Sequence, residues 1–134
     1  MGKDKWVWMP HAGHFILGYK CRFRLNTYVN GYIISTVGEY IPDGAVIDIC
    51  RPEFKHLKGD AKEYAYQKKY GCEEIGCGRK YETMVFMGQR SSHKCCPYGV
   101  AEFSELDFAG YSTPEDAYKG HMKMCLKFDK KDSQ

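Results

Sequence analysis

Two runs of alternating polar and apolar residues, Cys21 to Val29 and Tyr32 to Tyr40, flank the dipeptide Asn30-Gly31. Asn-Gly is a preferred centre for a two-residue type I′ turn, so the runs predict a β-hairpin over 21–40. A two-residue loop also fixes the register. Val29 then faces Tyr32, Thr27 faces Ile34, Leu25 faces Thr36 and Phe23 faces Gly38. One side carries Cys21, Phe23, Leu25, Thr27, Val29, Tyr32, Ile34, Thr36 and Tyr40 and is the expected core face. The other side sets Arg22 against Glu39, Arg24 against Val37, Asn26 against Ser35 and Tyr28 against Ile33. It is expected to be solvated, with Arg22–Glu39 a cross-strand charge pair contributing about 0.2–1 kcal/mol.

A second pattern runs from Tyr81 to Phe86. Tyr81, Thr83 and Val85 point one way and Glu82, Met84 and Phe86 the other, and both sets are largely apolar. A strand with two apolar faces belongs inside a sheet, which predicts a central strand over 81–86. Glu82 is then a carboxylate that needs a partner or a proton.

Helical spacing governs the end of the chain. Thr113-Pro114-Glu115-Asp116 supplies an N-cap, a proline at the first helical position and an acid at the third. Ala117, His121, Met124, Cys125 and Phe128 then form one stripe, with Lys119, Lys123 and Lys127 on the far side, over a helix 113–128. Elsewhere the patterns are weaker. Ala45 to Cys50 reads as a short helix or strand and Phe54 to Gly59 as loop. Asp60 to Tyr70 reads as a short helix with Asp60 at its N-cap and a modest stripe of Ala61, Tyr64, Ala65 and Lys68. Pro42-Asp43-Gly44 predicts a turn, Ala101 to Phe108 an edge strand, and Trp6 to Ile16 a turn-rich entry. The fold class expected is α+β: a small, mainly antiparallel sheet covered by the C-terminal helix.

At 134 residues the chain has the length of one domain, 1–134, with charged ends near 1–5 and 129–134 expected to fray. The formal charge of +3 excludes an acidic mimic of DNA, and it is compatible with a nucleic-acid partner without indicating one. No apolar run reaches 18 residues and no hydrophobic signal segment opens the chain, so no membrane span and a cytoplasmic setting are expected. Seven cysteines, an odd number, then point to free thiols or metal ligands over a disulfide framework.

Two groups of residues carry candidate chemistry. His121 lies in the middle of an apolar stripe, and the helix bearing it must cover the sheet that holds Glu82. A carboxylate and an imidazole could satisfy each other, with a hydroxyl from Thr36 or Ser35 completing the cluster. Glu82, His121 and Thr36 are therefore the catalytic candidates, for acid–base chemistry or for a purely structural network. The second group is metal-ligating. Cys72 and Cys77, then His93 and Cys95, and Cys125 one helical turn after His121 could supply a zinc site. Cys96 lies in the same group as His93 and Cys95, but adjacent cysteines rarely both ligate one ion. His11 and His14, three apart, could ligate a metal, but without a helix to align them a surface or packing loop is the favoured reading. A phosphate-binding loop, a dinucleotide fingerprint, His-Glu-x-x-His and a serine elbow have no match in the sequence.

Ile34-Ser35-Thr36-Val37, Tyr81-Glu82-Thr83-Met84-Val85-Phe86, and Gly110 to Ala117 followed by Gly120-His121 resemble, in that order, the motifs of a family of small hypothetical proteins of bacteriophages and prophages. The resemblance covers roughly Cys21 to Phe128, with the stretch from Ile41 to Lys80 as an insertion relative to short members. It implies a phage-encoded accessory protein of the bacterial cytoplasm and carries no activity or site residues. The function expected is a non-enzymatic binding module for a host protein or a small ligand, with a role in counter-defence or host takeover. The alternatives are a small enzyme using Glu82 and His121, and a zinc-stabilised module for nucleic acid.

Overall fold

The computed structural model describes residues 6–11, 21–40, 44–71 and 79–131. Its strands are β1 (Val7–Met9), β2 (Cys21–Val29), β3 (Tyr32–Tyr40), β4 (Tyr81–Arg90) and β5 (Tyr98–Tyr111). Its helices are α1 (Gly44–Cys50), α2 (Asp60–Tyr70) and α3 (Pro114–Asp129), with a 3₁₀ turn at Pro52–Phe54. The strands form one antiparallel sheet in chain order, and α3 packs across it, giving the α+β architecture.

The hairpin pairs as its turn dictates. Asn30 and Gly31 have φ of 51° and 91°, and Val29↔Tyr32, Thr27↔Ile34, Leu25↔Thr36 and Phe23↔Gly38 are all in register. The turn does a second job. The Asn30 amide donates to the carbonyls of Phe128, at 3.2 Å, and Lys131, at 2.7 Å, which capture the unsatisfied end of α3. Residues 129–131, expected to fray, are held by these bonds, whereas 1–5 and 132–134 lie outside the described residues.

Every residue of the expected α3 stripe is buried: Ala117, His121, Met124, Cys125 and Phe128. Thr113 caps the helix, its hydroxyl accepting from the Asp116 amide at 3.1 Å. Met124, Cys125 and Phe128 pack on Val29, Tyr32, Ile34 and Val85, and the Phe128 ring meets Tyr32 edge-on at 4.7 Å. Each such fully buried side chain contributes about 1.5–3 kcal/mol of apolar transfer.

The opposite side of the hairpin departs from expectation. On β3, Ile33, Ser35 and Val37 are fully buried, so this half of the face is not solvated, whereas Arg22 and Arg24 on β2 are exposed as expected. Ile33, Met9 and Phe86 make a second core, against which Tyr28, Met84, Cys96, Tyr98 and Val100 pack. Among the described residues, Ile33 and Phe86 are covered from two places that local periodicity does not connect: β1, in the segment expected to be only turn, and the chain entering β5. Tyr98 stacks on Tyr28 with centroids 3.6 Å apart. The Arg22–Glu39 pair also gives way. Glu39 stays within β3 but takes a φ of 56° and drops out of the pairing with β2; its amide donates to the Lys80 carbonyl at 3.2 Å, and its carboxylate accepts from the Tyr81 hydroxyl at 2.7 Å.

Between β3 and β4, α1, the 3₁₀ turn and α2 close around Ile47, Phe54 and Tyr66. Here α2 starts at Asp60 with Gly59 as its N-cap, and it buries Lys62 and Tyr66, not the expected stripe. Tyr66 supplies more apolar surface than Ala61 or Ala65, and Lys62 is held by Asp48 at 2.6 Å, so packing overrides a weak pattern. The predicted turn at Pro42-Asp43 lies outside the described residues. The strand at 81–86 is interior, between β3 and β5, and continues to Arg90. As expected β5 is an edge strand. Its register breaks between Val85↔Asp107 and Met87↔Glu102, so Phe103 to Leu106 bulge opposite Phe86. Among the described residues no helix is long and apolar enough to cross a membrane.

Candidate functional site

His121 is fully buried beneath α3. Its two ring nitrogens meet two threonines of the sheet: Nε2 lies 2.8 Å from Thr27 Oγ1 and Nδ1 lies 2.7 Å from Thr36 Oγ1. Thr36 continues to Thr83 Oγ1 at 2.5 Å, and the Tyr111 hydroxyl donates to Thr83 at 3.1 Å. Each hydroxyl has one proton, so a single polarity can run the length of the chain. In that polarity Tyr111 donates to Thr83, Thr83 to Thr36, Thr36 to Nδ1, and Nε2–H to Thr27. Burial holds the imidazole at about 4, well below its usual 6.5, so it is neutral. Burial likewise pushes the neighbouring Cys125 thiol up to about 12. The Trp8 ring closes the far side, its centroid 5.4 Å from that of His121.

The expected pair of Glu82 with His121 is not brought together. Thr83 pairs with Thr36 on the α3 side, so its neighbour Glu82, opposite Val37, projects from the other face. Of the three catalytic candidates the structure joins His121 and Thr36 and separates Glu82. Thr27, Thr83 and Tyr111 complete the network without having been singled out. The signal for Thr83 was present, because matching Thr36-x-Ile34 against Thr83-x-Val85 sets the two threonines opposite each other. Sealed, neutral and hydrogen-bonded at both nitrogens, His121 fixes the packing of α3 on the sheet.

Tyr111 also borders a cleft. Between the end of β5 and α3 lies a cavity of about 680 Å³ whose wall includes Arg79, Tyr111, Ser112, Lys119, Lys123 and Lys127, with the carboxylates of Asp107 and Asp116. The three lysines follow one another at helical spacing on α3, and Arg79 reaches the cleft from the residue pair that precedes β4. Lys127 is engaged by Asp107 at 2.5 Å, and that contact holds the Asp107 carboxyl below its ordinary range. Four cations against two carboxylates give the cleft a positive balance. The lysines stand where the helical pattern sets them, away from the core stripe. Their convergence with Arg79 depends on how β5 and α3 meet.

A third group lies at the rim of the second core. His11 Nδ1 is 3.4 Å from Cys95 Sγ and 3.4 Å from Cys96 Sγ, and the three donor atoms all lie within 4.8 Å of one another. These side chains could hold a metal ion. The buried Asn26 amide donates to the His11 carbonyl and fixes the loop, and burial raises the Cys96 thiol. The cluster differs from the expected ligand set. Cys95 belongs to it, and Cys96 and His11, the weaker ligand candidates of the sequence, complete it. Cys125 is buried on the α3 side of the sheet, and His93 stands outside the group. Cys72 and Cys77 lie outside the described residues. Cys50, Cys95, Cys96 and Cys125 are free thiols.

No family model, curated protein or solved structure matches the chain.

Proposed function

We propose that the chain is a non-enzymatic binding module that takes a small anionic ligand in the cleft between β5 and α3. The carrying observation is the convergence of Arg79, Lys119, Lys123 and Lys127 around about 680 Å³. A cavity of that size suits a small molecule more than a protein partner. Cations facing a concave wall favour a carboxylate or a phosphate group. The sealed and neutral state of His121 favours binding over acid–base chemistry at the network. The motif resemblance supplies the setting, a phage accessory protein acting in its host. The test is a thermal-shift and calorimetric screen of inorganic phosphate, phosphorylated metabolites and dicarboxylates. A ligand present at 100 times its dissociation constant adds about 2.7 kcal/mol to the folded state. Binding that weakens in Lys119→Gln and Lys123→Gln supports the reading, and a flat screen removes it.

A second reading, that the module is stabilised by zinc, is favoured by the His11–Cys95–Cys96 cluster. One imidazole and two thiols suit zinc, and an ion held by them would join the segment after β1 to the connection between β4 and β5. Metal analysis of the reduced, purified protein tests it. Protein free of zinc that takes none up on addition removes it.

A further inference from the structure

Resting on the zinc reading of this cluster, we infer that His11, Cys95 and Cys96 act as a metal clasp that fastens the N-terminal strand to the connection between β4 and β5. The donor set fits the ion in chemistry and in size. Two sulfurs and one imidazole nitrogen select a thiophilic ion such as zinc over magnesium or calcium, which prefer oxygen. A tetrahedral zinc with bonds of about 2.0 Å to nitrogen and 2.3 Å to sulfur sets those two donors about 3.5 Å apart. The two His11–cysteine separations are both 3.4 Å, close to that spacing, and all three donor atoms lie within 4.8 Å of one another. Three protein donors leave the fourth position to water or an outside ligand.

The place of the cluster gives the clasp its task. β1 has only three residues and sits at the sheet edge, paired through Val7↔Tyr28, Trp8↔Thr27 and Met9↔Asn26. So short a strand is weakly held by its own ladder. His11 follows it by two residues, and Asn26, which pairs with Met9, also grips the His11 carbonyl. Cys95 and Cys96 come from the connection 91–97, and Cys96 packs against the same core as Met9. An ion bound here therefore ties β1 to a loop far along the chain and closes the second core at its rim. Metal binding and docking of β1 become one linked equilibrium.

The chain carries its own reporter, because its two tryptophans, Trp6 and Trp8, lie beside and within β1. The experiment titrates the reduced, metal-free full chain with Zn²⁺ against a chromophoric chelator while following tryptophan emission and amide exchange at 7–9. The expected result is one equivalent bound, with a change in emission and slower exchange in β1. His11→Ala, Cys95→Ser and Cys96→Ser should each weaken binding by more than roughly 100-fold, beyond the loss of an outer-shell partner. Far-UV circular dichroism checks that these exposed or half-buried variants fold. Binding that depends on the three residues but leaves emission and exchange unchanged overturns the clasp and keeps the zinc reading. No uptake, or uptake undiminished in the triple variant, overturns both.

Discussion

The ring of Tyr111 lies so close to the backbone of Gly120 that a methyl group on that glycine would sit 2.2 Å from the phenol. Glycine inside a helix costs about 1 kcal/mol relative to alanine. Here it lets Tyr111 pass over α3 and deliver its hydroxyl to Thr83. Gly120→Ala should therefore destabilise the fold, by about 1–3 kcal/mol, although it improves the helix. In a Tyr111→Ala background the same change should become neutral or stabilising. Urea unfolding of the four proteins measures the coupling. Equal effects of Gly120→Ala in both backgrounds would refute the contact.

The buried hydroxyl chain predicts unequal losses. Thr83→Val preserves shape and removes contacts to two other hydroxyls, for a loss of about 1 kcal/mol. Thr36→Val should cost more, about 2–3 kcal/mol, because it strands a ring nitrogen of His121 in the core. Equilibrium unfolding ranks the two, and the reverse order would contradict the network.

Stability should also depend on pH through His121. Its folded value of about 4 lies below the ordinary 6.5. As pH falls the unfolded chain takes up the proton first, so the contribution is intact above about pH 6.5 and declines towards pH 4. The loss approaches about 3 kcal/mol across that window. Unfolding free energies at pH 7.5, 5.5 and 4.5 for the native chain and His121→Gln test this. A slope that persists unchanged in the variant assigns the effect to other groups.

Asp107 competes with any anion for Lys127. Asp107→Asn should raise the affinity of the cleft for a small anion by roughly 2–10-fold while changing stability by less than about 1 kcal/mol, as exposed ion pairs do. The gain should shrink as salt is added. Calorimetry at two ionic strengths reads both effects, and weaker binding by the variant would place the anion away from Lys127.

What could be read from the sequence was whatever one segment decides alone. Asn30-Gly31 sets its own register, and Thr113-Pro114 starts a helix whose buried stripe follows from spacing. Alternation at 81–86 already implied an interior strand. What could not be read depended on which segments meet. Glu82 and Thr83 differ by one residue, and only the pairing of β4 with β3 decides which of them sees His121. The closure of His11 onto Cys95 and Cys96 joins segments with most of the chain between them, and their local patterns have no period to register it. The basic cleft is of the same kind, since Arg79 and the lysines converge only once α3 has docked.

The order of strands in the sheet repeats their order in the chain, so assembly needs only neighbours to find each other. The one long wait is between Tyr40 and Tyr81, where the helical excursion leaves and returns. Its neck is pinned by the Glu39–Lys80 backbone bond and by Tyr81 lying over Gly38. Each doubling of a loop adds only about 0.6 kcal/mol to its closure. The excursion can therefore lengthen or shrink with little effect on the sheet, while setting the pace at which β3 and β4 join.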